Sequence, residues 1–282
     1  MTKKPSRGSR GLSVEVGAEH KISARSVYKA FLRNGRPLSV LEDVDFHAEE
    51  GEFVSIIGPS GCGKSTLLNI IGGLDEPSSG DIYMDGAPAT NRLGTVGYMQ
   101  QKDLLLPWRN IIDNAILGLE LQGVPRAAAR ARAAELMDEF GLAGFEREYP
   151  FALSGGMRQR AAFLRTVLAD QEVFLLDEPF GSLDALSRAQ IQDWLQGLWE
   201  SLGRTIILVT HDVEEAIFLS DRIYVMSPRP GHMKLIERSG LPRPRTLDMV
   251  TSNAFVELKG RLLASVRDGN GEGGLGLAHE HR

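Results

Sequence analysis

Phe53-Val54-Ser55-Ile56-Ile57-Gly58-Pro59-Ser60-Gly61-Cys62-Gly63-Lys64-Ser65-Thr66 is the stretch whose reading decides the fold. Residues 53–57 are apolar apart from Ser55 and read as a buried strand. Residues 58–65 follow the pattern G-x-x-x-x-G-K-[ST], in which backbone N–H groups turn inward around phosphate oxygens. Gly58, Gly61 and Gly63 leave room for the close approach that such a cradle needs. Lys64 brings a mobile point charge to β- and γ-phosphates. The Ser65 hydroxyl is placed to ligate Mg²⁺. Pro59, Ser60, Cys62 and Thr66 complete the candidate binding loop. From Thr66 to Ile71 the chain reads as a helix, whose N-terminus favours phosphate. Strand, glycine loop and helix in this order predict an α/β core that binds a nucleoside triphosphate at the junction.

Working outward, the hydrophobic pattern organises the rest. Residues 22–36 alternate and end at the turn signal Asn34-Gly35, and 38–48 read as the second strand of a hairpin. Residues 79–86 read as turn, short strand, turn, which predicts an antiparallel β-layer beside the nucleotide core. Strands are expected at 95–99, 173–176, 205–209 and 222–226. Helices are expected at 111–121, 126–140, 157–169 and 190–202. Ile191, Trp194, Leu195, Leu198, Trp199 and Leu202 form a core-facing stripe on the last of these. Phe255, Leu258, Leu262 and Val266 predict a final helix. The alternation of strands and helices implies a mostly parallel sheet. Residues 1–21 are polar and basic and read as a loose arm, and 269–282 are glycine-rich and read as a disordered tail.

Composition narrows the function classes. The chain has 282 residues, a net charge of −5 and one cysteine. The negative charge argues against a general nucleic-acid binder. A single cysteine excludes an internal disulfide framework and a cysteine zinc site. No secretory leader is visible, and no apolar run approaches the ~18 residues of a membrane span. A role at a membrane would therefore require other chains to hold the protein there.

Further motifs follow the phosphate loop in order. They are Val96-Gly97-Tyr98-Met99-Gln100-Gln101, Leu153-Ser154-Gly155-Gly156-Met157-Arg158-Gln159-Arg160, Val173-Phe174-Leu175-Leu176-Asp177-Glu178-Pro179, Ser182-Leu183-Asp184 and Val209-Thr210-His211-Asp212. Ser154 offers a hydroxyl, and Gly155-Gly156 expose backbone N–H groups at a helix start, an anion site in its own right. A strand ending in Asp177-Glu178 can hold Mg²⁺ and activate a water in one place.

Together these motifs resemble the ATP-binding subunits of ATP-binding cassette (ABC) transporters, over about residues 22–245. The resemblance implies a P-loop NTPase core with an inserted helical subdomain at about 102–156, followed by a C-terminal helical segment at 246–268. It implies ATP and Mg²⁺ as cofactors, with Asp177 and Ser65 on the metal and Glu178 polarising the attacking water. Gln101 would touch the metal or the water, although Gln100 beside it stands where many relatives carry Phe. His211 would hold the γ-phosphate. Phe31 occupies the position of the adenine-stacking aromatic, with Tyr28 as the competing candidate. Ser154, Gly155 and Gly156 would grip the γ-phosphate held by a second copy, which implies a head-to-tail homodimer.

Leu104-Leu105-Leu106-Pro107-Trp108-Arg109-Asn110-Ile111, Ser227-Pro228-Arg229-Pro230-Gly231 and Leu241-Pro242-Arg243-Pro244-Arg245 look like the nitrate/sulfonate/taurine importer branch. That likeness implies an ATPase at the cytoplasmic face of the plasma membrane, with separate permease subunits and an extracytoplasmic substrate-binding protein as partners and no nucleic acid. The alternative is an ABC ATPase that acts on nucleic acid or the ribosome. Tandem cassettes, a long coiled-coil insertion or a basic face would favour it.

Overall fold

The computed structural model describes residues 20–267 except residue 182. The reading of residues 269–282 as a tail falls outside the described residues, as do residues 1–19 of the expected 1–21 arm and the serine of the Ser182-Leu183-Asp184 motif. The last two residues of that arm belong to the fold instead, His20 being buried and Lys21 pairing with Asp85 and Glu172. The chain opens with a hairpin of β1 (Ile22–Arg33) and β2 (Arg36–Ala48). Asn34 and Gly35 both take positive φ, 52° and 74°, as a tight hairpin turn demands. Then come β3 (Phe53–Ile57), α1 (Lys64–Ile71), β4 (Ser79–Met84), β5 (Ala87–Pro88) and β6 (Gly97–Met99). The helical segment holds α2 (Ile111–Ala115), α3 (Leu117–Leu121), α4 (Arg126–Leu136) and α5 (Gly155–Leu168). The chain returns through β7 (Val173–Asp177), α6 (Ala185–Leu202), β8 (Thr205–Val209), α7 (Val213–Leu219), β9 (Arg222–Met226), β10 (Met233–Arg238) and α8 (Asn253–Arg267).

Two sheets form. The antiparallel layer runs β2-β1-β4-β5, and the six-stranded core sheet runs β10-β9-β3-β8-β7-β6. Within the core sheet β9, β3, β8, β7 and β6 are parallel, and β10 is an antiparallel edge. Side chains on its strands alternate between two cores. Val54, Ile56, Val173, Leu175, Ile207, Val209, Tyr224 and Met226 face α1 and the antiparallel layer. Phe53, Ile57, Phe174, Leu176, Ile206, Leu208, Ile223 and Val225 face the helices. A sheet buried on both faces needs such unbroken apolar strands, because successive residues point to opposite sides.

The expected α/β architecture is the observed one, with local differences. The helix expected over 111–121 breaks at Ile116, where ψ is near 1°, and both Ile116 and Leu119 remain in the core. The helix expected over 126–140 ends at Leu136, and the chain then turns so that Met137 and Phe140 enter the core. There Phe140, Phe163 and Trp194 meet edge to face, which ties the helical segment to α6. Helix α6 starts earlier than its apolar stripe because Asp184 caps it, accepting from the Ser187 N–H at 3.0 Å. Strand β10 and helix α7 are not among the expected elements. The Leu241-to-Arg245 segment has a structural job: the Arg245 guanidinium donates to the Ile217, Phe218 and Ser220 carbonyls at 2.8–3.1 Å, closing the end of α7.

Far from the phosphate loop, His47 of β2 is wedged against the Arg222 guanidinium, the Tyr224 hydroxyl at 3.1 Å and the His20 ring at 4.4 Å. Burial, and then the Arg222 charge, push its pKa down to about 4. His47 is therefore neutral in the fold and titrates near its ordinary value of 6.5 once unfolded. The stability it contributes is full above pH 6.5 and is lost as pH falls through 4. The shift corresponds to up to ~3 kcal/mol. Urea unfolding from pH 7 to pH 4.5 should show wild type losing stability faster than His47→Gln, and parallel profiles would refute this account.

Candidate active site

Parallel pairing brings the carboxyl ends of β3, β6, β7, β8 and β9 to one edge of the sheet. A cavity of about 400 Å³ opens there, and the loop after each of these strands contributes to its wall. Ser60, Gly61, Gly63, Lys64, Ser65 and Thr66 come from the β3 loop and α1, and Gln101 follows β6. Glu178 follows β7, His211 follows β8, Arg229 follows β9, and Val40 of β2 closes the side. Ligands of open α/β sheets bind in this kind of crevice.

The phosphate loop is held in shape by its own groups. Gly63 caps α1 with φ of 119°, and a Cβ there would sit 2.6 Å from the Leu41 side chain. Only glycine fits both the angle and the space. No side chain caps α1, so its first N–H groups stay available to an anion. The Lys64 ammonium is buried and donates to the Gly58 carbonyl at 2.8 Å and the Pro59 carbonyl at 3.1 Å.

Opposite the loop stand two carboxylates in contrasting settings. Asp177 is buried, and burial pushes its carboxyl up while the Ser65 hydrogen bond pulls it down. Its Oδ1 has no hydrogen-bond partner. A buried, unpartnered carboxylate oxygen beside a hydroxyl suits a hard divalent cation, which takes oxygen ligands. Glu178 has φ of 48°, a left-handed angle seldom taken by a side-chain-bearing residue and often found at functional sites. Its N–H donates to the Val209 carbonyl at 2.8 Å, which anchors it to the sheet. Its Oε2 accepts from Gln101 Nε2 at 3.0 Å, and its Oε1 lies 3.5 Å from His211 Nδ1. The turn bearing His211 is braced from behind: Thr210 Oγ1 donates to Glu215 at 2.6 Å and accepts from the Asp212 N–H at 3.0 Å.

The remaining expected residues lie elsewhere. Ser154 caps α5, its Oγ accepting from the Met157 N–H at 3.3 Å. Gly155 lines a second cavity of about 390 Å³ with Gln101, Asp103, Leu104 and Arg158. The Ser154-Gly155-Gly156 turn thus stands off the phosphate loop of its own chain, and among the described residues Gln101 alone lines both cavities. Phe31 is exposed on β1, with the Lys29 ammonium 4.9 Å from its ring centroid, and is not part of the first cavity's wall. Gly58 and Pro59 turn their carbonyls to Lys64 instead of lining the cavity. Sequence reasoning missed Val40 and Arg229 as cavity residues. The Ser227-to-Gly231 segment was visible as a motif, but nothing in it announces contact with a loop 168 residues away.

Residues 41–181 match the ABC transporter family. The chain is 42% identical over 248 residues to the aliphatic sulfonates import ATP-binding protein SsuB of Bacillus cereus, covering 88% of this chain and 96% of the relative. It is 43% identical over 207 residues to the taurine import ATP-binding protein TauB of Yersinia pestis, covering 73% and 80%. Among solved structures, the ATP-binding cassette MJ0796, a dimer in a post-hydrolysis state bound to ADP and Pi, superposes with a TM-score of 0.71 at 31% identity, covering 78% of this chain and all of that one.

Cys62 admits two readings: a thiol just before a phosphate-binding helix, which tends to be acidified, or a small residue that simply fits the loop. Here the side chain is buried in the core beneath the loop, and burial pushes the thiol up, outweighing Lys64 nearby. The folded protein should therefore react with maleimide far more slowly than the unfolded chain, with or without ATP. Rapid labelling of the native protein, suppressed by ATP, would overturn the buried placement.

Proposed function

The chain belongs to the ABC transporter family of ATPases, and from that premise we propose that it is the ATP-hydrolysing subunit of an importer for a small solute of the nitrate/sulfonate/taurine class. The observation that carries the catalytic reading is Glu178, held between Gln101 and His211 across the cavity from Lys64.

ATP enters with its phosphates over the α1 N-terminus, and Lys64 exchanges the Gly58 and Pro59 carbonyls for β- and γ-phosphate oxygens. Ser65, Asp177 and Gln101 would hold Mg²⁺, which would supply positive charge against the phosphate oxygens. Glu178 accepts the proton of the attacking water at Oε1 or Oε2. Gln101 orients that carboxylate by donating to it, and His211 holds the γ-phosphate side. Phe31 is the proposed adenine platform.

Two copies pack head to tail. The support is the separate position of the Ser154-Gly155-Gly156 turn, which leaves each phosphate loop open to a partner, and the dimeric state of the similar cassette. Permease subunits seat on the segment at about 102–156, where Trp108 and Phe151 are exposed at 72% and 80%. No helix of the described residues is long and apolar enough to cross a membrane. In this reading the protein acts peripherally at the cytoplasmic face, and an extracytoplasmic binding protein delivers solute to the permease. The names of the sulfonate and taurine relatives support this partner set.

Glu178→Gln should bind ATP as wild type does and hydrolyse it about 10²–10⁴-fold more slowly, the span of a general-base contribution. Wild-type turnover in that variant would refute the assignment. Cysteines placed at Trp108 and Phe151 should cross-link to reconstituted permease subunits, and cross-links confined to β1, β2 and β4 would refute the docking geometry.

A further inference from the structure

The turn Ser227-Pro228-Arg229-Pro230-Gly231 plays no part in the function proposed above, yet its Arg229 lines the candidate ATP cavity. Arg229 Nε and Nη2 both donate to the Gly61 carbonyl, at 3.0 and 2.6 Å. The turn that carries it is built tightly. Ser227 Oγ donates to the Pro228 and Pro230 carbonyls at 3.0 and 3.2 Å and accepts from the His232 N–H at 3.0 Å. The Gly231 N–H donates to the Val40 carbonyl at 2.8 Å, and the Glu42 N–H donates to the Gly231 carbonyl at 3.0 Å. A Cβ on Gly231 would lie 2.3 Å from the Cys62 carbonyl oxygen, so the turn rests directly on the back of the phosphate loop.

We propose that Arg229 is a positioning residue for the nucleotide: it clamps the Gly61 carbonyl outward, holds the phosphate loop ready before ATP arrives, and gives the cavity wall a second permanent positive charge. The proposal rests on the ATP-site reading above. Carbonyl oxygens facing into the cavity would repel phosphate. The loop avoids this by giving its carbonyls to cations, Gly58 and Pro59 to Lys64 and Gly61 to Arg229. The Gly61–Cys62 peptide is fixed at both ends, since the Cys62 N–H donates to the Pro59 carbonyl at 3.3 Å. When Lys64 leaves for the phosphates, the Arg229 clamp remains, because it sits on a separate turn. Arginine suits the task better than lysine, as its planar fork sends two N–H groups to one oxygen. Arg229 is itself exposed, so its loss touches the loop and leaves the core packing intact.

The test compares wild type, Arg229→Ala, Arg229→Lys and Lys64→Ala in ATP binding, steady-state hydrolysis, thermal melting and amide hydrogen exchange of residues 58–63 without nucleotide. Arg229→Ala should raise KM and Kd for ATP about tenfold, the scale of one charge-assisted hydrogen bond. Its kcat should change far less, its exchange over 58–63 should speed up, and its melting temperature should hold. Arg229→Lys should fall between, because it keeps the charge without the fork. Unchanged KM and exchange in Arg229→Ala, alongside lost ATP binding in Lys64→Ala, would overturn the proposal alone. A raised KM that merely follows a large drop in melting temperature would overturn it too. Normal ATP binding by Lys64→Ala would bring down the site reading itself.

Discussion

The parallel register of the core sheet is the constraint on which the site depends. Asp177 pairs with Val209, Val209 with Ile56, and Ile57 with Val225. These pairings set the ends of four strands at one level, so the chain leaves the sheet there with Gly58, Glu178, Thr210 and Ser227 side by side. The register is locked because each strand is buried on both faces. A slip by one residue would exchange the two sets of core side chains and send each into the wrong layer. Packing energy in two hydrophobic cores thus fixes the relative positions of polar groups that scarcely touch one another.

On this frame the polar groups satisfy one another sparingly. Lys64 occupies backbone carbonyls, Glu178 is shared between an amide and an imidazole, and Asp177 keeps one buried oxygen without a partner. Each arrangement can exchange a protein contact for a ligand contact. A fully satisfied network would resist that exchange, and a fully exposed one would gain little from it, because water screens charges at the surface. The left-handed backbone at Glu178 belongs to the same design, held in place by its N–H bond to β8.

The helical segment is tied to this frame through residues 101–104. Arg158 Nε donates to Asp103 Oδ2 at 3.0 Å and its Nη1 to the Leu153 carbonyl at 2.8 Å, while Arg165 donates to the Asp103 and Leu104 carbonyls at 2.7 and 2.8 Å. Burial pushes the Arg165 pKa down, as befits a cation committed to backbone oxygens. Both arginines lie on α5, whose N-terminus carries the Ser154-Gly155-Gly156 turn. Gln101 therefore touches Glu178 at one end of a short segment that α5 grips at the other. A shift of α5 has a direct mechanical route to the carboxylate.

The sequence by itself determined the α/β core and named most of the residues that line the candidate cavity. The glycine pattern at 58–63 and the carboxylates after β7 are dictated locally, by backbone angles and by strand ends, so they can be read from adjacent residues. So can the family, whose motifs are short and ordered along the chain. Tertiary structure alone decided the rest. The break at Ile116, the early end of α4 and the edge strand β10 follow from what packs against them, which no window of sequence contains. Cys62 is the sharpest case, since its neighbours in sequence leave open an acidified thiol or a mere small residue, and its neighbours in space bury it. Arg229 is the converse, a residue whose motif can be read in the sequence but whose contact cannot, since the β9 turn delivers it to Gly61 across 168 positions of chain. Local chemistry is written in order along the chain, whereas burial and cross-chain contact depend on distances that only folding sets.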